Sequence, residues 1–318
     1  MSDNVKTVLL IGAGPMAIEY AKVLKAQKVD FIVIGRGKES AKIFHEKTNV
    51  NVFTGGIEHF FTENKANYSK AIVATGVEEL SETAKKLMEK GITNLLLEKP
   101  GGLYKEKLIE LENLSKKKKA NVLIAYNRRF YSSVLEAQNI IKKDGGVLSF
   151  QFDFTEWSHI IEKIQKPDIV KQRWFLSNST HVADMAFFLG GKPKEMESKT
   201  MGTLNWHTSA SIFVGSGISE TESGFSYTAN WISPGRWSIE IMTQNFRLIF
   251  KPLEQLAIQK KGSVTIEQVS IDDSLDKQFK PGVYRMTECF LKGDYNNICH
   301  LHEQINMFDV YSKMANYN

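Results

Sequence analysis

The first 125 residues alternate short apolar runs with segments of helical periodicity. Apolar runs of four or five residues are typical of strands that are covered on both faces of a sheet. The predicted strands are Val8–Ile11, Phe31–Ile34, Ala71–Ala74, the run that ends at Glu98, and Asn121–Ala125. The predicted helices are Met16–Ala26, Glu78–Lys90 and Tyr104–Lys118. This alternation predicts an α/β domain over residues 1–125, with a doubly wound parallel sheet between layers of helices.

After Tyr126 the pattern changes to an alternation of apolar and polar residues with a period of two. The predicted strands of this half are Ser211–Val214, Phe225–Trp231, Trp237–Met242, Phe246–Phe250, Gln255–Gln259 and Val264–Val269. The predicted helices are Ser132–Lys143, Ser179–Leu189, Val283–Leu291 and Leu301–Met314. We therefore expect a second, α+β domain over residues 126–318, whose large, open, mainly antiparallel sheet packs one face on helices.

Composition excludes several classes of protein. A chain of 318 residues suits two globular domains, and its net charge of +5 is small for that length. Much of the positive excess lies at residues 116–119, at the end of a predicted helix, where cations complement the helix dipole. We therefore expect no nucleic-acid partner.

The two cysteines, Cys289 and Cys299, form no disulfide framework and suit a reducing compartment. The N-terminal residues do not resemble a signal peptide, and no apolar run is long enough to cross a bilayer. We therefore expect a cytoplasmic protein without a membrane partner. The segment 299–302 (Cys-His-Leu-His) fits no zinc spacing, so no metal site is expected.

A glycine-rich turn follows the first predicted strand and opens the first predicted helix. Gly12, Gly14 and Ala17 form the G-x-G-x-x-A variant of the dinucleotide fingerprint. The first glycine permits the tight turn, the second lets the backbone approach a pyrophosphate, and the small third residue lets helix and strand pack closely. Pro15 and Met16 complete this turn. The context predicts a Rossmann domain with a dinucleotide site.

The end of the second strand indicates which dinucleotide binds. An acidic residue there would accept a hydrogen bond from the ribose 2′-hydroxyl of NAD, but this chain has Gly35, Arg36 and, further on, Ser40. Arg36 can clamp a 2′-phosphate and Ser40 can donate to it, so NADP is favoured over NAD. The alternative is that Arg36 stacks on the adenine ring, which would leave the choice open.

The apolar strand before Glu98 ends in a lysine and a proline. Because ligands bind beyond the carboxyl ends of parallel strands, Lys99 is predicted to point into the ligand crevice. Other residues that follow predicted strands are expected at the same edge and are predicted to contact the cofactor together with Glu98 and Lys99: Thr75, Gly76 and Asn127.

Four features occur in one order: the glycine turn, Glu98-Lys99-Pro100, residues 126–130 (Tyr-Asn-Arg-Arg-Phe) and a later histidine on a helix. Over essentially the whole chain, this pattern resembles the glucose-fructose oxidoreductase, inositol dehydrogenase and rhizopine-catabolism (Gfo/Idh/MocA) family. The resemblance implies NAD(P)-dependent hydride transfer between nicotinamide and a carbinol or ketone carbon of a sugar, sugar nucleotide or cyclitol. It also implies a homodimer or homotetramer that associates through the C-terminal sheet.

The resemblance assigns catalytic roles to Lys99 and His181. The lysine contacts the cofactor and the reacting oxygen, where an ammonium stabilises a developing alkoxide, and the histidine shuttles the proton. A cis Lys99–Pro100 bond is also expected. Many relatives have an aspartate four residues before the histidine, but this chain has Ser177. His181 therefore works with Lys99 alone, is oriented by Asp184, or only binds substrate.

Further residues are candidates for substrate binding. They are Lys99, Tyr126, Arg128, Trp174, Asn178 and His181. Tyr126 is a candidate neighbour of the nicotinamide. Either Arg128 or Arg129 binds an acidic group of the substrate, or both pack between the domains. The segment 171–174 before the His181 helix is predicted to be a loop that forms a substrate lid. Of the five tryptophans, all between Trp157 and Trp237, the four other than Trp174 are left without a role.

Two other functions are compatible with these motifs. One is a cofactor-sensing regulator of the same fold that binds a protein partner and does not catalyse. The other is a reductase of a non-sugar substrate, such as a linear tetrapyrrole. The presence of Lys99 and His181 favours an enzyme, whereas Ser177 in place of the usual carboxylate weakly favours the regulator.

Overall fold

The computed structural model describes residues 7–317. Residues 1–6 and Asn318 lie outside the described residues. The N-terminal residues that do not resemble a signal peptide are among them. The chain divides into two compact units. The first unit is the chain up to Asn127 together with Lys277–Asn306, and the second is Arg128–Asp276 together with the chain from Met307 onward. The predicted boundary after residue 125 lies close to the first of these divisions. The return of residues 277–306 to the first unit was not predicted.

Short strands and helices alternate from residue 7 to residue 130. The strands are β1 (Val8–Ile11), β2 (Phe31–Ile34), β3 (Val52–Phe53), β4 (Lys70–Val73), β5 (Asn94–Glu98) and β6 (Asn121–Ala125). The helices are α1 (Pro15–Ala26), α2 (Lys38–Thr48), α3 (Gly56–Glu63), α4 (Leu80–Glu89) and α5 (Lys105–Lys118). Short 3₁₀ turns lie at Val77–Glu79 and Asn127–Phe130.

The rest of the described chain is richer in strands. These are β7 (Ser149–Asp153), β8 (Pro193–Met201), β9 (Ile212–Ser219), β10 (Gly224–Asn230), β11 (Ser238–Met242), β12 (Phe246–Phe250), β13 (Ala257–Lys260), β14 (Ile266–Gln268) and β15 (Cys299–His300). The helices are α6 (Ser132–Lys143), α7 (Ser158–Ile161), α8 (Asp168–Gln172), α9 (Thr180–Gly190), α10 (Ser274–Gln278), α11 (Val283–Lys292) and α12 (Leu301–Ala315). A π-helical turn, Phe175–Ser179, precedes α9.

The sheet of the first unit has the order β15-β6-β5-β4-β1-β2-β3. Strands β1 to β6 are all parallel, and only the short β15 runs antiparallel to β6. The order 3-2-1-4-5-6 is that of a dinucleotide-binding sheet, whose ligand crevice lies at the carboxyl ends of the strands where the order reverses, between β1 and β4. All four residues of β1 are buried, as expected for a strand covered on both faces.

Residues 277–306 complete this first unit. Helix α11 packs against α1, and the Gln27 side-chain amide donates a 3.0 Å hydrogen bond to the carbonyl of Tyr284. Cys299 and His300 pair with β6, so this segment forms a sheet edge and the start of α12. No helix within residues 7–317 is long and apolar enough to span a bilayer.

The sheet of the second unit has the order β14-β13-β12-β11-β7-β10-β9-β8. Only the β7–β10 pair is parallel, so the sheet is mainly antiparallel as predicted. One face packs on α9 through aromatic side chains: Phe150 stacks on Phe225 at 5.4 Å, and Phe187 meets Phe225 edge to face at 5.3 Å. Gly190 is required at this contact because a Cβ there would lie 2.3 Å from the Phe150 ring.

Candidate cofactor and substrate sites

The glycine turn between β1 and α1 has the geometry of a pyrophosphate cradle. Gly12 has a φ of +114°, and a Cβ on it would lie 2.5 Å from the carbonyl oxygen of Ala74. A Cβ on Gly14 would meet no heavy atom within 4 Å, so this side of the turn is open. Helix α1 begins at Pro15 without a side-chain cap, which leaves backbone amides of the first turn for an anion. Ala17 is fully buried and allows close packing.

The next strand end adds a polar group to the same edge. Thr75 and Gly76 follow β4, the strand beside β1. Oγ1 of Thr75 is buried and has no hydrogen-bond partner among the described residues. Buried hydroxyls are nearly always paired, so this one fits a site that a ligand completes. The open Gly14 and the Thr75 hydroxyl together fit a dinucleotide.

The end of β2 carries the predicted phosphate clamp. Gly35 is buried and its amide donates to the carbonyl of Phe53, whereas Arg36 is exposed. Nη1 of Arg36 lies 2.7 Å from Oε1 of Glu79, an acid that sequence analysis did not single out. Ser40 Oγ donates to the carbonyl of Gly37 at 3.1 Å, at the start of α2.

The end of β5 places Lys99 among buried groups. Lys99 is itself buried, and the Lys99–Pro100 peptide bond is cis, as the resemblance implies. The hydroxyl of Tyr20 donates to Oε1 of Glu98 at 2.7 Å. Burial raises the pKa of Glu98, while the hydrogen bond from Tyr20 and the charges of Lys99 and Lys280 act to lower it. Neither Tyr20 nor Lys280 was predicted from the sequence, because neither belongs to a motif.

Tyr126 and Asn127 are occupied by contacts within the first unit. The Tyr126 hydroxyl donates to Oε1 of Gln304 at 3.0 Å, and the side chain is buried. The Asn127 amide donates to the carbonyl of Pro281 at 2.8 Å. Both residues therefore hold the segment 277–306, and the burial of Tyr126 does not support its predicted place beside a nicotinamide.

In the second unit, His181 lies in the first turn of α9, directly after the π-helical turn. π-Helical turns are frequent at functional sites because they redirect side chains. His181 is buried, and its ring centre lies 6.5 Å from that of Trp237. Ser177, in the position of the usual aspartate, directs its hydroxyl to the carbonyls of Val170 and Trp174, each at 3.3 Å.

Asp184 and Arg129 form a buried ion pair. Nε and Nη2 of Arg129 donate to the two carboxylate oxygens of Asp184 at 2.9 and 2.6 Å. The guanidinium also lies 4.9 Å from the ring centre of Phe188. Of the two arginines considered for an acidic substrate group, Arg129 is thus engaged in the interior. Arg128 is the one that lies beside Trp237, with 4.8 Å between its Cζ and the ring centre.

A buried carboxylate that sequence analysis missed organises the residues around His181. Glu156 is 2% exposed and follows β7. Its Oε1 accepts hydrogen bonds from Asn178 Nδ2 at 2.8 Å and Ser179 Oγ at 2.7 Å, and its Oε2 accepts one from Arg236 Nη1 at 3.2 Å. Burial raises the pKa of Glu156, which these donors act to lower. The sequence does hold a signal for Glu156: this acidic residue continues the alternating pattern of β7 up to Trp157.

The predicted lid segment is helical and not a loop. Lys171 and Gln172 end α8, and Lys171 Nζ donates to the carbonyl of Glu162 at 2.8 Å. Arg173 lies 5.1 Å from the ring centre of Tyr317. Trp174 is nearly buried and meets Trp206 edge to face at 6.2 Å. These contacts fix the segment within the second unit.

No family model matches the chain, and no curated protein is a significant match to it. Solved structures do resemble it. An oxidoreductase from Agrobacterium radiobacter, in complex with NAD⁺, L-tartaric acid and magnesium, is similar with a TM-score of 0.80 and 10% identity over 98% of this chain and 95% of that one. A dehydrogenase (MviM) from Clostridium difficile has a TM-score of 0.78 and 19% identity over 99% and 100%. The UDP-N-acetylglucosamine 3-dehydrogenase GnnA from Acidithiobacillus ferrooxidans has a TM-score of 0.75 and 14% identity over 98% and 97%.

This chain has the fold of these dehydrogenases. The neighbours are of the Gfo/Idh/MocA type, so the resemblance that the motifs indicate is confirmed at the level of the fold. The two-part α/β architecture predicted from the hydrophobic pattern is confirmed with it.

Proposed function

We propose that the chain is an NAD(P)-dependent oxidoreductase that acts on the CH–OH group, or the corresponding ketone, of a sugar, sugar nucleotide or cyclitol. One observation carries the proposal: a buried lysine, Lys99, directly follows β5 at the same sheet edge as the open Gly14 cradle. Substrates named for the structural neighbours, a sugar nucleotide for GnnA and L-tartaric acid as a ligand of the Agrobacterium enzyme, support a polyhydroxy substrate.

The chain's own residues bind and polarise the substrate. A bound nicotinamide would accept or supply the hydride. The Lys99 ammonium stabilises negative charge that develops on the substrate oxygen, and His181 relays the proton of that hydroxyl. Glu98, hydrogen-bonded to Tyr20, fixes the end of β5 from which Lys99 projects. Lys99 would carry more of the proton transfer than it does in relatives with an aspartate at position 177, because Ser177 provides no carboxylate for His181.

The cofactor we propose is NADP. No carboxylate stands directly at the end of β2, where the exposed Arg36 lies, with Ser40 on the next helix. A 2′-phosphate would therefore meet a cation there, whereas the ribose 2′-hydroxyl of NAD would meet no acidic acceptor at the strand end. The ion pair with Glu79 is exposed, and such pairs are weak enough for a phosphate to displace the carboxylate.

We also propose a cytoplasmic homodimer or homotetramer that associates through the sheet of the second unit. Cys289 and Cys299 form no disulfide with each other, which suits a reducing compartment.

Two measurements on one preparation test the function. NADPH and NADH are titrated by fluorescence, and ketosugars and sugar nucleotides are screened for hydride transfer by nicotinamide absorbance. We expect tighter binding of NADPH and turnover of at least one carbohydrate. Tighter binding of NADH would contradict the role of Arg36. Cofactor binding with no turnover across the panel would contradict an enzyme and favour the regulator.

A further inference from the structure

The guanidinium groups of two arginines, Arg128 and Arg236, pack on the indole ring of Trp237 near His181. The ring centre of Trp237 lies 4.8 Å from Cζ of Arg128 and 4.5 Å from Cζ of Arg236. Arg236 also lies 4.8 Å from the ring centre of Trp157. The centres of the Trp237 and His181 rings are 6.5 Å apart. Two cations therefore lie against the indole ring that neighbours the residue proposed to relay the substrate proton.

The hydrogen-bonding capacity of these cations is only partly used. Nε of Arg128 is buried and has no hydrogen-bond partner among the described residues. Arg128 is held instead between rings, since its Cζ also lies 5.8 Å from the ring centre of Tyr131. A buried guanidinium nitrogen without an acceptor is unfavourable in a finished protein interior. A ligand that supplies the acceptor would account for this buried nitrogen of Arg128.

Arg236 is fixed from one side and open on the other. Glu156 anchors its Nη1 at 3.2 Å, and that carboxylate is itself held by Asn178 and Ser179. The Arg236 side chain is nevertheless 46% exposed, and an arginine has five N–H donors. The remaining edge of the fork can therefore bind an oxyanion with two parallel hydrogen bonds.

The acids near these cations do not remove the need for an anion. Glu156 uses its Oε1 for Asn178 and Ser179, and its Oε2 faces Arg236. Glu254 is exposed and acts on Arg128 through its charge, while its carboxylate also engages the hydroxyl of Tyr131. Burial is the main cause that lowers the pKa of Arg128, and the charge of Arg236 adds to it, while Tyr131, Glu254 and Glu156 act to raise it.

An exposed aromatic face adjoins the two arginines. Trp157 is 49% exposed, and its indole N–H donates to the carbonyl of Gly235 at 2.9 Å, so the ring is held in place. A fixed, accessible indole is a suitable platform for the apolar face of a sugar ring. The arrangement thus combines an exposed indole, on which a sugar ring can stack, with two guanidinium groups that can bind an oxyanion.

We infer that Arg128 and Arg236, arranged around Trp237, form a subsite for an oxyanion carried by the substrate. This inference rests on the proposed function and narrows its substrate to an anionic sugar, in which the carboxylate of a uronate or the phosphate of a sugar phosphate meets the two forks. Trp157 supports the ring, and Glu156 positions Arg236.

The test measures binding and does not require turnover. Cofactor-saturated protein is titrated calorimetrically with hexuronates and hexose 6-phosphates of the gluco, galacto and manno series, and with the parent hexoses. We expect at least one anion to bind about tenfold or more tightly than its neutral parent, the size expected for a charge-assisted hydrogen bond. Comparison of uronates with phosphates identifies which anion is preferred.

Three variants decide the role of the arginines. Arg236→Gln and Arg128→Gln are expected to abolish the preference for the anion. The matched control is Arg247→Gln, because Arg247 on β12 is 43% exposed and paired with Glu240 on β11, much as Arg236 is paired with Glu156. It should leave the preference unchanged. Since Arg236 is exposed, its variant keeps the test valid even if Arg128→Gln does not fold.

Failure of this inference is distinguishable from failure of the proposed function. No preference for any anion in the wild type, or a preference that survives both Arg236→Gln and Arg128→Gln, would overturn the subsite. Turnover of a neutral sugar in that case would leave the oxidoreductase standing. A preference that the two variants abolish, with no turnover of any compound, would support the subsite and contradict the enzyme.

Discussion

Tyr20 and Glu98 are joined by a 2.7 Å hydrogen bond between the phenolic hydroxyl and Oε1. Tyr20 lies on α1, the helix that starts at the glycine turn, and Glu98 ends β5 directly before Lys99. Burial raises the pKa of both groups, so the tyrosine remains a protonated donor. The bond therefore connects the helix of the proposed pyrophosphate site to the strand end that carries the proposed catalytic lysine.

Replacing Tyr20 by phenylalanine removes this donor and keeps the ring. We expect the free energy of unfolding to fall by about 1–3 kcal/mol, because Glu98 loses a partner in a buried site. The pKa of Glu98 should rise further, since the bond acts to lower it. Urea denaturation measures the first effect. The exposed Tyr104→Phe serves as control, and equal stability of the two variants would contradict a structural role for the bond.

Breaking the buried pair of Arg129 and Asp184 should strongly destabilise the second unit. Arg129→Met leaves the Asp184 carboxylate without its bidentate partner in the interior, which typically costs about 3–5 kcal/mol. The double variant Arg129→Met/Asp184→Leu should recover much of this loss. Denaturant unfolding compares them with Lys194→Met, which breaks the exposed pair with Glu222 and should have no measurable effect. Similar stability of Arg129→Met and Lys194→Met would contradict the prediction.

His207 should make the stability of the chain depend on pH. Its Nδ1 lies 2.7 Å from the carbonyl oxygen of Ala210 and its Nε2 lies 2.7 Å from the Tyr317 hydroxyl, an arrangement that suits the neutral ring. Burial lowers the pKa of His207 to about 4, against 6.5 for an exposed histidine. As the pH falls from 6.5 towards 4, the unfolded chain gains a proton that the folded chain does not.

The stability that the neutral His207 provides is thus complete above pH 6.5 and is lost as the pH falls to about 4. The pKa difference corresponds to about 3 kcal/mol. Urea unfolding of wild type and His207→Gln at several pH values in this interval measures it. The wild type should lose more stability than the variant, and parallel curves would contradict the assignment.

The ion pair of Arg36 with Glu79 should tune the cofactor preference. A 2′-phosphate competes with Glu79 for the guanidinium, so Glu79→Gln should strengthen NADPH binding by about two- to fivefold, the range of an exposed pair. NADH binding should change little. Fluorescence titration measures both, with the adjacent exposed Glu78→Gln as control. Weaker NADPH binding by Glu79→Gln would show that the acid supports the site and does not compete for it.

The hydrophobic pattern predicts many of the elements but not all of them: it missed the edge strands β3 and β8, and also β7, a central strand of the second sheet with buried phenylalanines. The bounds of β1, β2 and α6 are as predicted, because their apolar residues follow one period without interruption. Strand β8 was missed because it is an edge strand with lysines and glutamates on a mostly exposed surface. The two-residue β3 was missed because it is too short to show a period.

The return of residues 277–306 to the first unit was also not predictable. The amphipathic pattern of α11 shows that one face is buried but does not show that α1 covers it.

The residues of the candidate sites were likewise predicted only in part. The glycine turn and Lys99 could be proposed from the sequence because each belongs to a motif of neighbouring residues. Glu156 and Arg236 were missed because their contact joins residues 80 positions apart, and only folding reveals that the carboxylate has partners. The tryptophans that flank them, left without a role by the sequence, gain one from their contacts with the arginines.

The catalytic role proposed for Lys99 is tested by replacing it with methionine. Methionine preserves the buried volume and removes only the ammonium, and Lys22→Met on the exposed face of α1 is the control. The rate of hydride transfer is measured in a single turnover with saturating NADP and the best carbohydrate of the screen. We predict a fall of about 10²–10⁴-fold in Lys99→Met, the range of a positioned acid–base group, with cofactor affinity of the same order as in the wild type. A rate equal to that of Lys22→Met would contradict the account.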